Sequence, residues 1–216
     1  AASDVYKRQA SKSQQADDGE FSRKIDSQDE DIGGRAVIRN ARELVWYPSE
    51  VDTSIRTGWF YHPEEDTDVR TAGELLDIYL DAIGANASLL LNIPPDTHGR
   101  IAAPDCASLT ELGTKIQQIF ASNVTEKAAI TADSAIAQHP IIQAVDGMAD
   151  TYWQAAYGQE SDTITLNFPK PQKVSCVVLG EHLPTGQRIE SGEIWADGSK
   201  ACEFTVVGHK RICRFT

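Results

Sequence analysis

The chain has 216 residues, with 20 Lys and Arg against 32 Asp and Glu, and a formal net charge of −12. That acidic balance excludes a duplex nucleic-acid binder, which needs a basic stripe to displace counterions. With 41% apolar residues the chain can bury a core, and no apolar run approaches the ~20 residues that span a membrane as a helix.

In chain order, residues 1–34 are rich in Gln, Ser, Asp and Lys, and Val5, Tyr6, Phe21, Ile25 and Ile32 fall on no period. Residues 1–42 are expected to be disordered or an upstream remnant. The opening AASDVYKRQ resembles translated sequencing-adapter sequence, so residues 1–9 are set aside as an artefact. No apolar stretch follows Lys7, Arg8 and Lys12, so no signal peptide is read there.

Residues 44–47, closed by Pro48, read as a short buried strand, and the following SEVDTSIRTGWFYHPEED reads as a loop. Thr71-Ala-Gly-Glu74 is a capping box, where hydroxyl and carboxylate satisfy each other's backbone amides. Leu75, Leu76, Tyr79 and Ile83 then recur at helical spacing, and Gly84 is expected to supply a left-handed stop. Residues 88–93 form a second apolar strand ended by Pro94 and Pro95. Pro104 suits the first turn of a second helix, whose stripe is Leu109, Leu112, Ile116, Ile119 and Phe120. Strand, loop, helix repeated twice predicts a parallel α/β unit with both strands covered on both faces and a functional rim in the strand-to-helix loops.

Beyond a boundary at 122–127 the pattern changes. Residues 163–168, 174–179, 193–196 and 203–207 read as short strands, separated by Pro-Lys-Pro, Pro-Thr-Gly and Asp-Gly turns. Such spacing predicts a β-sandwich or jelly roll. The four cysteines, at 106, 176, 202 and 213, contain no C-x-x-C pair. Cys202 and Cys213 either bridge or stay buried as free thiols.

Three stretches could carry chemistry. In residues 46–62, Glu50 and Asp52 are read as converging in a turn and separating if the chain is extended. Paired carboxylates serve glycoside hydrolysis, and Trp59, Phe60 and Tyr61 offer faces for a sugar ring. Arg56 either holds a sugar hydroxyl or pairs with Glu50 or Asp52, and Trp59 and Phe60 either stack or fill the core. In residues 92–100, Asn92, Asp96 and His98 sit in what reads as a rigid Pro-Pro and Gly turn. In residues 144–155, an Asp-Gly turn precedes Thr151 and Trp153, which either present oxygens to a hard cation or simply close a turn.

The strings ELVWYPSEVDTSIRTGWFYHPEED and AGELLDIYLDAIGANASLLLNIPPDTHGRI, within residues 43–120, resemble the C-terminal part of the catalytic domain of family-29 α-L-fucosidases, in particular the branch acting on α-1,3/1,4-linked fucose. Thr57 departs from the proline of that pattern. AVDGMADTYW, GQRIESGEIWAD and GHKRICRF resemble parts of a discoidin-like (coagulation factor 5/8 C-type) β-sandwich.

The resemblance implies an α/β plus all-β fold: the C-terminal βα units of a (β/α) barrel at 43–122, then a truncated jelly-roll sandwich at 128–216. It implies a retaining exo-α-L-fucosidase whose nucleophilic Asp and acid/base Glu lie upstream, so that this chain holds no catalytic residue and is inactive alone. Trp59, Arg56, Glu50, Asp52 and His62 would contact substrate. Asp146 and Thr151 would ligate a structural calcium ion in the sandwich, although Met148 departs from the usual residue there. No cofactor is expected for catalysis. The expected partner is a fucosylated oligosaccharide or glycoconjugate, with no nucleic acid and no membrane span, in an extracellular or periplasmic setting. The alternative is a non-catalytic carbohydrate-binding or adhesion module.

Overall fold

The computed structural model describes residues 49–215. The expectations for residues 1–42 and for the strand at 44–47 lie outside them. A strand does occur nearby, inside the stretch read as a loop: β1, Glu50–Ser54. It pairs in parallel with β2, Ser88–Asn92, in the register Glu50↔Ser88 to Ser54↔Asn92. The alternation that makes β1 a strand is Val51, Thr53 and Ile55, β-branched residues on one face and all buried. The carboxylates between them had masked it.

That buried face packs under two helices. Helix α1, Ala72–Ile83, starts with the expected capping box: Thr71 accepts from the Glu74 amide while the Glu74 carboxylate accepts from the Thr71 amide. Helix α2, Ala103–Phe120, starts with Pro104 in its first turn. Ile55, Ala72, Leu75 and Leu112 form the core, with Leu76, Leu91, Ile93, Leu109 and Ile116 against it. Among the described residues, only the face toward the helices is covered. Leu90 points to the face away from the helices and is 52% exposed, because side chains alternate across a strand.

Gly84 does not end α1 in a left-handed turn. Its φ is −75°, and the left-handed residue is Asn86, at φ 67°. Gly84 is needed for space: a Cβ there would stand 2.9 Å from Ile212 Cβ and collide with the Leu80 carbonyl.

Ile212 belongs to the second half of the chain. A 3-10 turn at Thr125–Lys127 leads to β3, Ala129–Ala132, which pairs antiparallel with β4, Ile164–Asn167. Next, β5, Cys176–Leu179, pairs antiparallel with β8, Arg211–Arg214. Between them β6, Gly192–Ala196, and β7, Ser199–Phe204, form a hairpin. Asp197 and Gly198, both at positive φ, make its two-residue turn. These are three separate antiparallel pairs among the described residues, and the strand read at 203–207 lies earlier, at Ser199–Phe204.

The two halves meet where β8 lies against α1. The Ile212 amide donates to the Gly84 carbonyl at 3.3 Å, and Asn86 bonds the Val207 carbonyl and the Lys210 amide at 3.0 and 2.9 Å. Arg214 reaches Asp77 and Asp81, both at 2.8 Å.

Candidate functional site

In a parallel α/β unit the loops after the strands form the functional rim. Here the loop leaving β1 runs from Arg56 to Asp66. Asn92, the last residue of β2, holds its base: the amide donates to Ser54 Oγ and to the Trp59 carbonyl, both at 3.1 Å.

Arg56 organises the loop from inside. Its side chain is fully buried, and Nε and Nη2 donate to the two oxygens of buried Asp105 at 3.0 and 2.8 Å. Nη2 also donates to Asp66 at 2.8 Å, Nη1 to the His62 carbonyl at 3.2 Å, and the guanidinium lies 4.7 Å from the Tyr61 ring centre. Burial works against its charge, but the bonds it donates to Asp105 and then Asp66 outweigh that and hold the guanidinium above its ordinary pKa. The fork geometry of the pair with Asp105 fits a planar guanidinium and a carboxylate. Arg56 therefore pairs with Asp105 and Asp66, not with Glu50 or Asp52. Neither partner was visible as such in the sequence. Asp105 follows Pro104 in the first turn of α2, where a carboxylate is favoured for the helix dipole, and that was the only local signal.

The tip of the loop faces outward. Trp59 is 38% and Phe60 77% exposed. His62 is exposed, with its ring 4.0 Å from Glu64. Burial and then the charge of Asp66 push the Tyr61 hydroxyl above its usual pKa. Thr57, at the position where the resemblance led one to expect proline, donates to Asp68 at 2.8 Å and so ties the loop to the approach to α1.

Glu50 and Asp52 stand apart from this group. They lie within β1, and residues two apart in an extended strand share one face, so the expectation that extension separates them is corrected. Burial and the Glu50 charge together raise the Asp52 pKa. Glu50 opens β1, which places it some four residues, roughly 13 Å, from the rim end. The structure thus gathers Arg56, Trp59 and His62 and leaves Glu50 at the opposite end of the strand.

On the second loop, the Asp96 carboxylate accepts from the Arg100 and His98 amides at 2.9 and 2.8 Å, and these bonds hold it below its ordinary pKa. This is the rigid turn that Pro94, Pro95 and Gly99 suggest. In the β half, Thr151 Oγ1 donates to the Asp146 carboxylate at 2.9 and 2.7 Å, and the Met148 amide donates to it at 2.9 Å. Calcium takes about six to eight oxygens. Asp146 and Thr151, bonded to each other here, would supply two or three of those oxygens. Among the described residues no group of three or more His, Cys, Asp or Glu could hold a metal ion.

Comparison with known proteins adds to this geometry. A family model for α-L-fucosidase matches residues 5–118, beginning inside the opening stretch set aside above. The chain is 32% identical over 180 residues to α-L-fucosidase 1 of Arabidopsis thaliana, covering 79% of this chain and 35% of that one. It thus spans about a third of the length of the curated relatives it matches. Among solved structures, a Ruminococcus gnavus family-29 glycoside hydrolase fucosidase in complex with fucose superposes with a TM-score of 0.72 at 28% identity, over 81% of this chain and 37% of that one. The rim loop, with its buried Arg56 and outward Trp59, falls within the matched range, and the chain belongs to the α-L-fucosidase family, glycoside hydrolase family 29.

Proposed function

We propose that the chain is part of an exo-acting α-L-fucosidase that releases terminal fucose from fucosylated oligosaccharides or glycoconjugates with net retention. In this reading residues 43–122 supply the last βα units of a (β/α) barrel, and residues 128–216 begin a discoidin-like sandwich. The nucleophilic Asp and the acid/base Glu come from upstream segments of the enzyme, which acts outside the cytoplasm, in an extracellular or periplasmic setting, with α-1,3/1,4-linked fucose as its substrate.

The observation that carries the reading is the family match over residues 5–118. The geometry is consistent with it. Trp59 stands at the rim end of β1, where its ring can cover the apolar face of a fucose, and His62 lies on the same loop to bond a hydroxyl. Arg56 acts on the sugar through the loop it holds, since its donors are taken by Asp105, Asp66 and the His62 carbonyl. Glu50 and Asp52 share the face of the sheet turned away from the helices, which in a closed barrel is the interior.

Two assays test this. The purified 216-residue chain should release no nitrophenol from 4-nitrophenyl α-L-fucoside; release abolished by Glu50→Gln overturns the upstream placement of the catalytic pair. The whole enzyme should liberate fucose from a Lewis-type trisaccharide, with α-fucose as the first anomer seen by NMR. Failure to cleave any α-fucoside overturns the function, and first appearance of β-fucose overturns retention.

A further inference from the structure

N-linked glycosylation takes an asparagine in the pattern Asn-x-Ser/Thr, with any residue but proline in the middle, and a glycan needs open surface. The chain holds two such stretches, Asn86-Ala87-Ser88 and Asn123-Val124-Thr125. The fold treats them in opposite ways.

Asn86 is built into the joint between the two halves. It is half-buried, and both ends of its carboxamide are engaged: Nδ2 donates to the Val207 carbonyl and Oδ1 accepts from the Lys210 amide. Gly208 packs so close that a Cβ on it would stand 2.8 Å from Oδ1 and 3.0 Å from Nδ2. Ser88 already opens β2, and its amide donates to the Ser49 carbonyl at 2.9 Å. A sugar on Asn86 Nδ2 has no room unless the joint opens.

Asn123 lies in the connection from α2 to β3 and is exposed. Its Oδ1 accepts from the Thr125 amide at 3.0 Å and from the Thr125 hydroxyl at 2.7 Å. Both bonds fall on the oxygen, so the carboxamide is oriented while Nδ2 has no partner among the described residues. The 3-10 turn that follows closes on its own backbone, the Lys127 amide to the Val124 carbonyl and the Ala128 amide to the Thr125 carbonyl, both at 3.0 Å. Nothing in this connection depends on the Asn123 nitrogen.

We propose that Asn123 is the N-glycosylation site of this chain and that Asn86, despite the same pattern, carries no glycan in the folded protein. The co-reactant is a polyprenyl-diphosphate-linked oligosaccharide. Asn123 Nδ2 forms a bond to the anomeric carbon of the first sugar, and the bond from that carbon to the diphosphate oxygen breaks. The polyprenyl diphosphate leaves with the electron pair, and Nδ2 gives one proton to a base of the transferring enzyme. The inference rests on the extracellular or periplasmic setting proposed above and on no other part of that reading.

The test places the full 216-residue chain behind a signal sequence in a eukaryotic secretory pathway. Export is thereby supplied, so the outcome is independent of fucoside cleavage, which the assays above measure separately. Intact mass is taken before and after peptide-N-glycosidase, and peptides are mapped after deglycosylation in heavy-oxygen water. The soluble product should carry one glycan, with the heavy-oxygen label at position 123 and none at 86. Asn123→Gln and Thr125→Ala should each abolish the added mass, and Thr125→Ser should keep it. An unmodified translocated chain, or a label at 86 in the soluble product, overturns the proposal. Should too little soluble product accumulate, protease-protected chains translated into microsomes decide: a glycosidase-sensitive mobility shift that Asn123→Gln reduces supports the site, and an absent or unaltered shift overturns it.

Discussion

In the α/β half, apolar side chains and an ion pair share one interior: Ile55, Leu75 and Leu112 are buried beside the α2 turn that holds Asp105, and Asp105 holds Arg56. In the β half the interior is thin. All four residues of β4 are exposed, as are Val178 and Trp195, and the buried side chains Val206, Val207, Arg211 and Cys213 gather next to the α1 joint. The first half is thus ordered from its centre and the second from its border. Residues that matter most for the β half should therefore lie partly outside it, at the end of α1.

The strongest challenge to this contrast is Asp105→Ala. It leaves the Arg56 charge buried with only Asp66, itself part-exposed, as a carboxylate partner. Removing one partner of a buried pair costs about 3–5 kcal/mol. Urea unfolding followed by circular dichroism should show that loss. Replacing both partners, Arg56→Met with Asp105→Leu, should restore much of it. A loss below about 1 kcal/mol for Asp105→Ala would mean that the α/β interior does not depend on the pair.

A smaller effect tests the border. In Gly84→Ala the new methyl meets Ile212 Cβ at 2.9 Å, an overpacking that costs about 1–3 kcal/mol. Amide exchange should accelerate in β8 and in residues 205–210 before it does in α1. Equal acceleration throughout both halves would erase the distinction between centre and border.

The smallest effect separates α1 from its tertiary contacts. Bonds from the Thr71 amide and hydroxyl hold the Glu74 carboxyl below its ordinary 4.5. A carboxyl lowered in the folded state adds stability above the unfolded pKa and loses it as pH falls through the folded one. Protection of the first turn of α1 should fade in acid below about pH 4.5. In Glu74→Gln that pH dependence should vanish, and Thr71→Ala should cost about 1 kcal/mol at neutral pH. An unchanged acid profile in Glu74→Gln would show that the capping box does not set the helix start.

The features legible in the sequence are those with short-range causes. The capping box spans Thr71 to Glu74, Pro104 marks its own turn, and Asp197-Gly198 makes a hairpin from two residues. Strand β1 was less legible, because Glu50 and Asp52 stand between its β-branched residues and made it look like a loop. Gly84 was placed correctly at the end of a helix but for the wrong cause. Its constraint is Ile212, far along the chain, and no local pattern encodes that. The Arg56 partners were missed for the same reason: Asp105 is 49 positions away, and many carboxylates compete nearer by.

The guanidinium of Arg56 grips both ends of its own loop, through its own backbone position and through Asp66. Residues 57–65 are therefore a cartridge mounted on a fixed socket. Doubling the length of such a closed loop adds only about 0.6 kcal/mol of closure entropy. Insertions and exchanges at the exposed tip, around Phe60, can reshape what the rim meets while the socket and the strands beneath it keep their positions. New contacts can arise there at little cost to folding.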